Sequence, residues 1–170
     1  MLRPEPVQRL RVRGPMEERW KCIPRIDDNF LYDSASSLDL DTSAAMELFG
    51  YSEKDAHSDL YVCYASGKCA LIEIGSEKDI ATAIKQLKST ARRIEALNWK
   101  LDYMAIVADK IGRKSSRLYG VNNGVLFNKI TGKSGPIKIR FRDTELKVHY
   151  YYKHNVVKER NKNVGMRPLY

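Results

Sequence analysis

The chain has 170 residues, 43% of them hydrophobic, and a formal net charge of +9, which fits one domain with its own core and excludes a disordered polyelectrolyte. No apolar run approaches the roughly 18 residues of a membrane span, and none follows the basic N-terminus as it would in a secretory leader. Three cysteines (Cys22, Cys63, Cys69) without Cys-x-x-Cys spacing exclude a disulfide scaffold and a cysteine zinc site, so the expected setting is reducing and intracellular, cytoplasmic or nuclear.

Residues 1–15 carry Arg3, Arg9, Arg11 and Arg13 among prolines and read as a mobile basic arm; residues 16–112 read as an α/β core, and 113–170 as a basic, β-rich extension of the same domain. Arg19 to Ile23 suits a short strand or a short helix, while Asp27-Asp28 and Asp33-Ser34 are turn-like. Asp41-Thr42-Ser43 then opens a two-turn helix over Ala44 to Phe49, with Gly50 at the closing left-handed position.

The stretch from Asp59 to Ala108 changes period in an ordered way. Asp59 to Tyr64 is aromatic and β-branched, Ala65-Ser66-Gly67 supplies a turn, and Lys68 to Ile74 is nearly all apolar, which predicts a hairpin. With three loop residues and Gly67 in the left-handed region, partners have numbers summing to 132, so Asp59 faces Glu73. Their Cβ atoms would then lie about 4.5–5.5 Å apart, an unfavourable pairing of like charges unless a cation sits between them. A two-residue loop would instead put the pair on opposite faces. Asp79 is a candidate N-cap for a helix on which Ile80, Ile84, Leu87, Ala91 and Ile94 form an apolar stripe; Lys88 borders the stripe and Lys85 and Arg92 point further toward solvent. Asp102 to Ala108 returns to a strand, so the expected fold is α/β with a mixed central sheet flanked by helices.

Ser58-Asp59, then Glu73-Ile74-Gly75, then an amphipathic helix and an apolar strand resemble the core of the PD-(D/E)XK nuclease superfamily over roughly residues 43–108. The strings Asp59-Leu60-Tyr61 and Ile72-Glu73-Ile74-Gly75 are similar both to Holliday junction resolvases and to viral cap-snatching endonuclease domains. Two positions depart from the pattern: Ser58 stands where the family usually has proline, and Gly75 where it usually has the catalytic lysine. The resemblance implies a restriction-endonuclease-like core in which Asp59, Glu73 and the Ile74 carbonyl hold Mg²⁺ or Mn²⁺. It further implies that Glu47, on the helix before the first core strand, adds a ligand. Some branches carry the lysine on the following helix, which makes Lys88 the candidate; the same residue also suits a solvated basic face. In the viral branch a histidine is a metal ligand, and His57 is the candidate here, although a lone loop histidine is more often without that role.

Residues 113–170 hold 14 Lys or Arg against 3 Asp or Glu, a balance of +11, whereas residues 1–112 hold 16 against 18, a balance of −2. Such segregation suits a protein that grips a polyanion, since phosphate neutralisation dominates nucleic-acid affinity. Ile137, Ile139 and Phe141 alternate with basic residues, as do Leu146, Val148, Tyr150 and Tyr152 with Lys147, His149, Tyr151 and Lys153, which predicts a basic β-hairpin in the C-terminal region. A turn at Asp143-Thr144 would pair Phe141 with Leu146 and Arg140 with Lys147, leaving Lys138, Arg140, Arg142, Lys147 and Lys153 as the expected phosphate contacts. Asn122-Asn123-Gly124 is a further turn signal. Gly132-Lys133-Ser134 resembles the end of a P-loop, but Phe127 stands at the required glycine, so it reads as a turn. Lys158 to Tyr170 reads as loosely ordered.

Two functions follow. One is a metal-dependent endonuclease acting on DNA or RNA; the other is a catalytically inactive nucleic-acid-binding protein on a nuclease-like scaffold, serving as a subunit of a larger nucleic-acid-processing complex.

Overall fold

The computed structural model describes residues 17–33, 36–52, 54–130 and 135–162; the N-terminal arm, Ser34, the Gly132-Lys133-Ser134 turn and residues 163–170 lie outside them. A single helical turn, α1 (Glu17–Trp20), leads to the two-residue strand β1 (Leu38–Asp39) and then to α2 (Ser43–Phe49). Thr42 caps α2 by accepting a hydrogen bond from the Ala45 amide, and Gly50 ends it at φ 70°, where a Cβ would be strained.

The hairpin follows as β2 (Leu60–Cys63) and β3 (Cys69–Lys78). Its turn has three residues, with Gly67 at φ 97°, and the register is the one such a turn demands: Leu60 opposite Ile72, Tyr61 opposite Leu71, Cys63 opposite Cys69. One residue further out, the Asp59 amide still donates to the Ile72 carbonyl, at 3.2 Å. Helix α3 (Ile80–Ala96), capped by Asp79 accepting from Thr82, then returns the chain to β4 (Tyr103–Ile111), which pairs with β3 in parallel.

Beyond a 3₁₀ turn at Ser115–Arg117, the chain makes β5 (Tyr119–Asn122), β6 (Val125–Asn128), β7 (Gly135–Pro136), β8 (Lys138–Phe141), β9 (Thr144–Tyr152) and α4 (Lys153–Lys162). The sheet runs β1-β2-β3-β4-β9-β6-β5, with β7 on β6 and β8 on β9. β4 lies between two parallel neighbours, and Met104 to Ala108 are buried without alternation, as a strand covered on both faces requires. The fold is thus α/β, with an open mixed sheet flanked by helices.

One face of the sheet packs against α3 through Ile80, Ala83, Leu87, Ala91 and Ile94, all buried on Tyr61, Leu71, Met104 and Ile106. Truncating Leu87 to alanine here costs about 2–5 kcal/mol. The other face packs against α4 and the N-terminal segment through Val156, Cys22, Ile23, Ile26 and Tyr32.

Two expectations about the basic half change. The β8–β9 turn is at Arg142-Asp143, one residue earlier than predicted, with Arg142 at φ 55°. Phe141 therefore faces Thr144, Ile139 faces Leu146, Arg140 faces Glu145 and Lys138 faces Lys147. The shift keeps Ile139 and Phe141 on the core face and pairs Arg140 with Glu145, while the like-charge opposition moves outward to Lys138 and Lys147. Lys153 is not a strand residue: it begins α4, and the chain that was expected to loosen from Lys158 stays helical to Lys162. Arg160 explains why. It is buried at 1% exposure, its guanidinium donates to the Ile23 and Phe30 carbonyls at 2.6 and 2.7 Å and lies 4.1 Å from the Phe30 ring centroid.

Candidate active site

The alternation of Tyr61 and Cys63 on β2 with Cys69 and Leu71 on β3 continues outward to Asp59 and Glu73, which emerge on the α3 face where β2 leaves β3. Ser58 fixes the entry to that strand. Its amide donates to the buried Thr90 hydroxyl on α3 at 2.8 Å, a bond that proline at this position could not make.

Glu73 is almost wholly buried, at 1% exposure, and its pKa is pushed up to about 10. Burial is the main cause, and the adjacent Asp59, close enough to share a hydrogen bond, adds to it; the Lys78 ammonium partly offsets both. At neutral pH Glu73 therefore carries a proton. Its Oε2 receives no hydrogen bond from any described residue. Asp59 Oδ2 is held by the Ile74 amide at 2.7 Å, so the backbone that follows Glu73 aims the second carboxylate of the pair.

A lysine other than the sequence candidate lies beside Glu73. Lys78 Nζ lies 3.9 Å from Glu73 Oε1, and its alkyl chain covers Gly75 so closely that a Cβ there would meet Lys78 Cε at 2.7 Å and Cδ at 3.0 Å. The glycine at the motif's lysine position makes room for a lysine arriving from three residues further along the same strand. Lys88, the sequence candidate, is exposed on α3 and lines an open groove with Asp59, His57 and Lys85. Nothing in the local pattern singled out Lys78; the available signal was a glycine in the motif followed by a lysine at the end of the same strand.

Around Asp59 the charges are densely paired. Arg19 reaches Asp41 at 2.5 Å, Asp39 at 3.2 Å and Asp59 at 3.9 Å. Burial pushes the Asp39 carboxyl up, against the pull of the Asp41 amide and Arg19. Asp41 is also raised by burial, but hydrogen bonds from Arg19 and His57 outweigh it and leave the carboxyl below its usual range. His57 Nε2 sits 2.7 Å from Asp41 Oδ1, Nδ1 lies 3.0 Å from the Asp55 carbonyl, and the ring stacks on Tyr51 with centroids 4.6 Å apart. Both ring nitrogens are thus already engaged within the chain.

No family model, curated protein or solved structure matches this chain.

The remaining predicted residues separate. Glu47 is exposed on α2 and is absent from the lining of the groove. Lys138, Arg140 and Arg142 line a second groove against Lys88, Arg92 and Glu95 of α3. Lys147 faces Lys138 across the ladder but does not line that groove, and Lys153 lies on α4. Among the described residues no three His, Cys, Asp or Glu side chains are grouped as a metal-ligand set. Were a divalent ion held here, the carboxylates close enough to share it would be Asp59 and Glu73. That number fits Mg²⁺ or Mn²⁺, whose other positions are filled by water and substrate phosphate oxygens. The Oε2 of Glu73, buried and without a hydrogen-bond partner among the described residues, has a lone pair that a cation could take up.

Proposed function

We propose that the protein is a divalent-metal-dependent nuclease on a restriction-endonuclease-like core, with Asp59 and Glu73 as metal ligands and Lys78 as the cationic residue of the site. The observation that carries this reading is the Lys78 ammonium beside Glu73, reached across the open space above Gly75. Carboxylate, carboxylate and lysine then converge at the end of the hairpin, the grouping that hydrolysis of a phosphodiester requires. Bound there, Mg²⁺ or Mn²⁺ would supply Lewis acidity toward a phosphoryl oxygen and lower the pKa of an attacking water.

The chain's residues do the rest. Asp59, held by the Ile74 amide, keeps a fixed position, and Glu73 gives up its proton when it becomes a ligand. Lys78 places positive charge where negative charge develops on the phosphate or on the attacking oxygen. The basic residues along α3 and β8 hold nucleic acid. A second reading, a binding protein that has lost its chemistry and serves within a larger assembly, is favoured by one observation: no three-residue ligand set is grouped among the described residues.

Cleavage of single-stranded and duplex DNA and RNA with Mn²⁺ decides between them. On the nuclease reading Glu73→Ala abolishes cutting and leaves affinity largely intact, because the ligand serves the transition state. An unmutated protein that binds nucleic acid and cuts none of these substrates establishes the second reading.

A further inference from the structure

The groove beside Asp59, about 860 Å³, and the groove beside β8, about 540 Å³, share two lining residues, Lys88 and Arg92. They therefore form one continuous path along α3. Lys85, Lys88 and Arg92 follow one another at helical spacing, so they line one flank of the helix over about 10 Å, at 1.5 Å rise per residue. Lys138 and Arg140 of β8 continue the row on the far side. None of these five cations is in an ion pair among the described residues.

The other arginines on the path behave differently. Arg93 donates to the Phe49 carbonyl, and Arg142 to those of Glu95 and Trp99 at 3.4 Å each, so both brace the fold. Five cations without an ion pair among the described residues, brought together by α3 and β8, repel one another, and Glu95 and Glu145 on the same lining offset them only in part. An anion that spans them would relieve the remaining repulsion, and the acidic end of the path, at Asp41, Asp55 and Asp59, marks where it would meet the carboxylates.

Among the described residues the lining contains no Phe, Tyr or Trp. Proteins that hold single strands rely on aromatic side chains on which bases stack, worth about 1–3 kcal/mol per base. Without them affinity comes from phosphate charge alone, which is denser on a double helix than on a single strand.

We infer that the α3–β8 groove is a phosphate track for double-helical nucleic acid, held by its backbone and independent of base stacking. The inference rests on the proposed function for what happens at the acidic end, but binding along the track needs neither metal nor cleavage.

The test is equilibrium binding of the full chain in EDTA to labelled DNA duplex, RNA duplex and the corresponding single strands, between about 50 and 200 mM salt. Both duplexes should bind more tightly than the single strands at every salt concentration, and the ratio of the two duplex affinities tells which helix is the better ligand. Lys88→Ala with Arg92→Ala should flatten the log–log salt slope by about 1.8, since each phosphate that is no longer neutralised removes about 0.9. The exposed single variant Lys85→Glu should weaken binding in the same direction, should the double variant fail to fold. Lys158→Ala with Lys162→Ala, on α4, should leave the slope unchanged. An unaltered slope in folded Lys88/Arg92 variants, tighter binding of single strands, or full displacement of duplex by anionic phospholipid vesicles overturns the inference. Binding with these properties and no cleavage in Mn²⁺ sinks the nuclease reading while the track stands; cleavage with an unaltered slope does the reverse.

Discussion

The carboxylate end and the cationic end of the α3 groove handle charge in opposite ways. At the first, Glu73 and Asp39 are each 1% exposed and both are raised by burial, Glu73 to about 10. At the second, Lys85, Lys88, Arg92, Lys138 and Arg140 stand in solvent. A buried charge interacts strongly with whatever is next to it, so its chemistry is local and depends on tenths of an ångström. An exposed charge is screened within about 8–10 Å at physiological salt, so it acts through number and placement. Burial controls the charge at the first end, and exposure and spacing control it at the second.

Substitutions at the two ends should differ accordingly, and the largest effect belongs to the lysine. Lys78→Ala should lower cleavage by roughly 10²–10³, the order found when one charge-stabilising group is removed from an active site. Adding Gly75→Lys to that variant should restore part of the rate on the proposed nuclease reading, because it returns an ammonium to the same space. Gly75→Ala alone should slow cleavage by less, since its Cβ would displace the flexible end of Lys78. Rates unaffected by all three changes would remove Lys78 from the site.

Next in size is Arg160, the one basic residue among those described that is as buried as the acidic end. Arg160→Ala should destabilise the fold by about 2–4 kcal/mol, because two buried carbonyls lose their donor. Lys138→Ala should stay within about 0.5 kcal/mol. Urea midpoints at constant m-value measure both, and equal shifts would contradict the contrast in burial.

The carboxylate pair should also write a pH dependence that the cationic end lacks. The folded pKa of Glu73, about 10, lies above its ordinary 4.5, so the native state holds the proton more tightly than the unfolded chain. Its contribution is therefore fully present below pH 4.5 and is lost as pH rises toward 10. The slope approaches about 1.4 kcal/mol per pH unit inside that window. Glu73→Gln should flatten the curve and be more stable than the parent at pH 8, whereas Arg140→Ala should leave its shape alone; thermal melting across pH decides. Mn²⁺ binding at pH 8 should release close to one proton, read in weak buffer with an indicator dye, and no release would mean that Glu73 is not a ligand.

A smaller loss of stability than that of Arg160→Ala is expected at Ser58. Ser58→Pro removes the amide that Thr90 accepts and should cost about 1–3 kcal/mol for the buried hydroxyl left with one partner fewer. An unchanged melting temperature would show that the bond contributes little.

Much of the hairpin and its neighbours was legible in local pattern. The three-residue turn with glycine third, the apolar stripe on α3 and its Asp79 cap all express themselves within a few residues, so the 132-sum register from Leu60–Ile72 to Cys63–Cys69 and the closeness of Asp59 to Glu73 could be reached by counting. The β8–β9 turn was not, because Arg142 in the left-handed region carries no sequence signal of the kind glycine or asparagine gives. Arg160 was hidden for a similar reason: in sequence it is one more cation in a polar tail, and only its docking on Ile23 and Phe30, more than a hundred residues away, makes it a buried anchor.

Taken alone, the order of residues determined the class of fold, the facing carboxylates and the separation of acidic from basic halves, since periodicity, turn chemistry and composition are local or additive. Tertiary structure decided which lysine meets Glu73, because a long side chain folding back over a glycine depends on strand geometry and free space and leaves no spacing rule in the sequence. It also decided where the cations gather. Lys85, Lys88 and Arg92 belong to the acidic half of the chain, and only the packing of α3 beside β8 sets them in one row with Lys138 and Arg140.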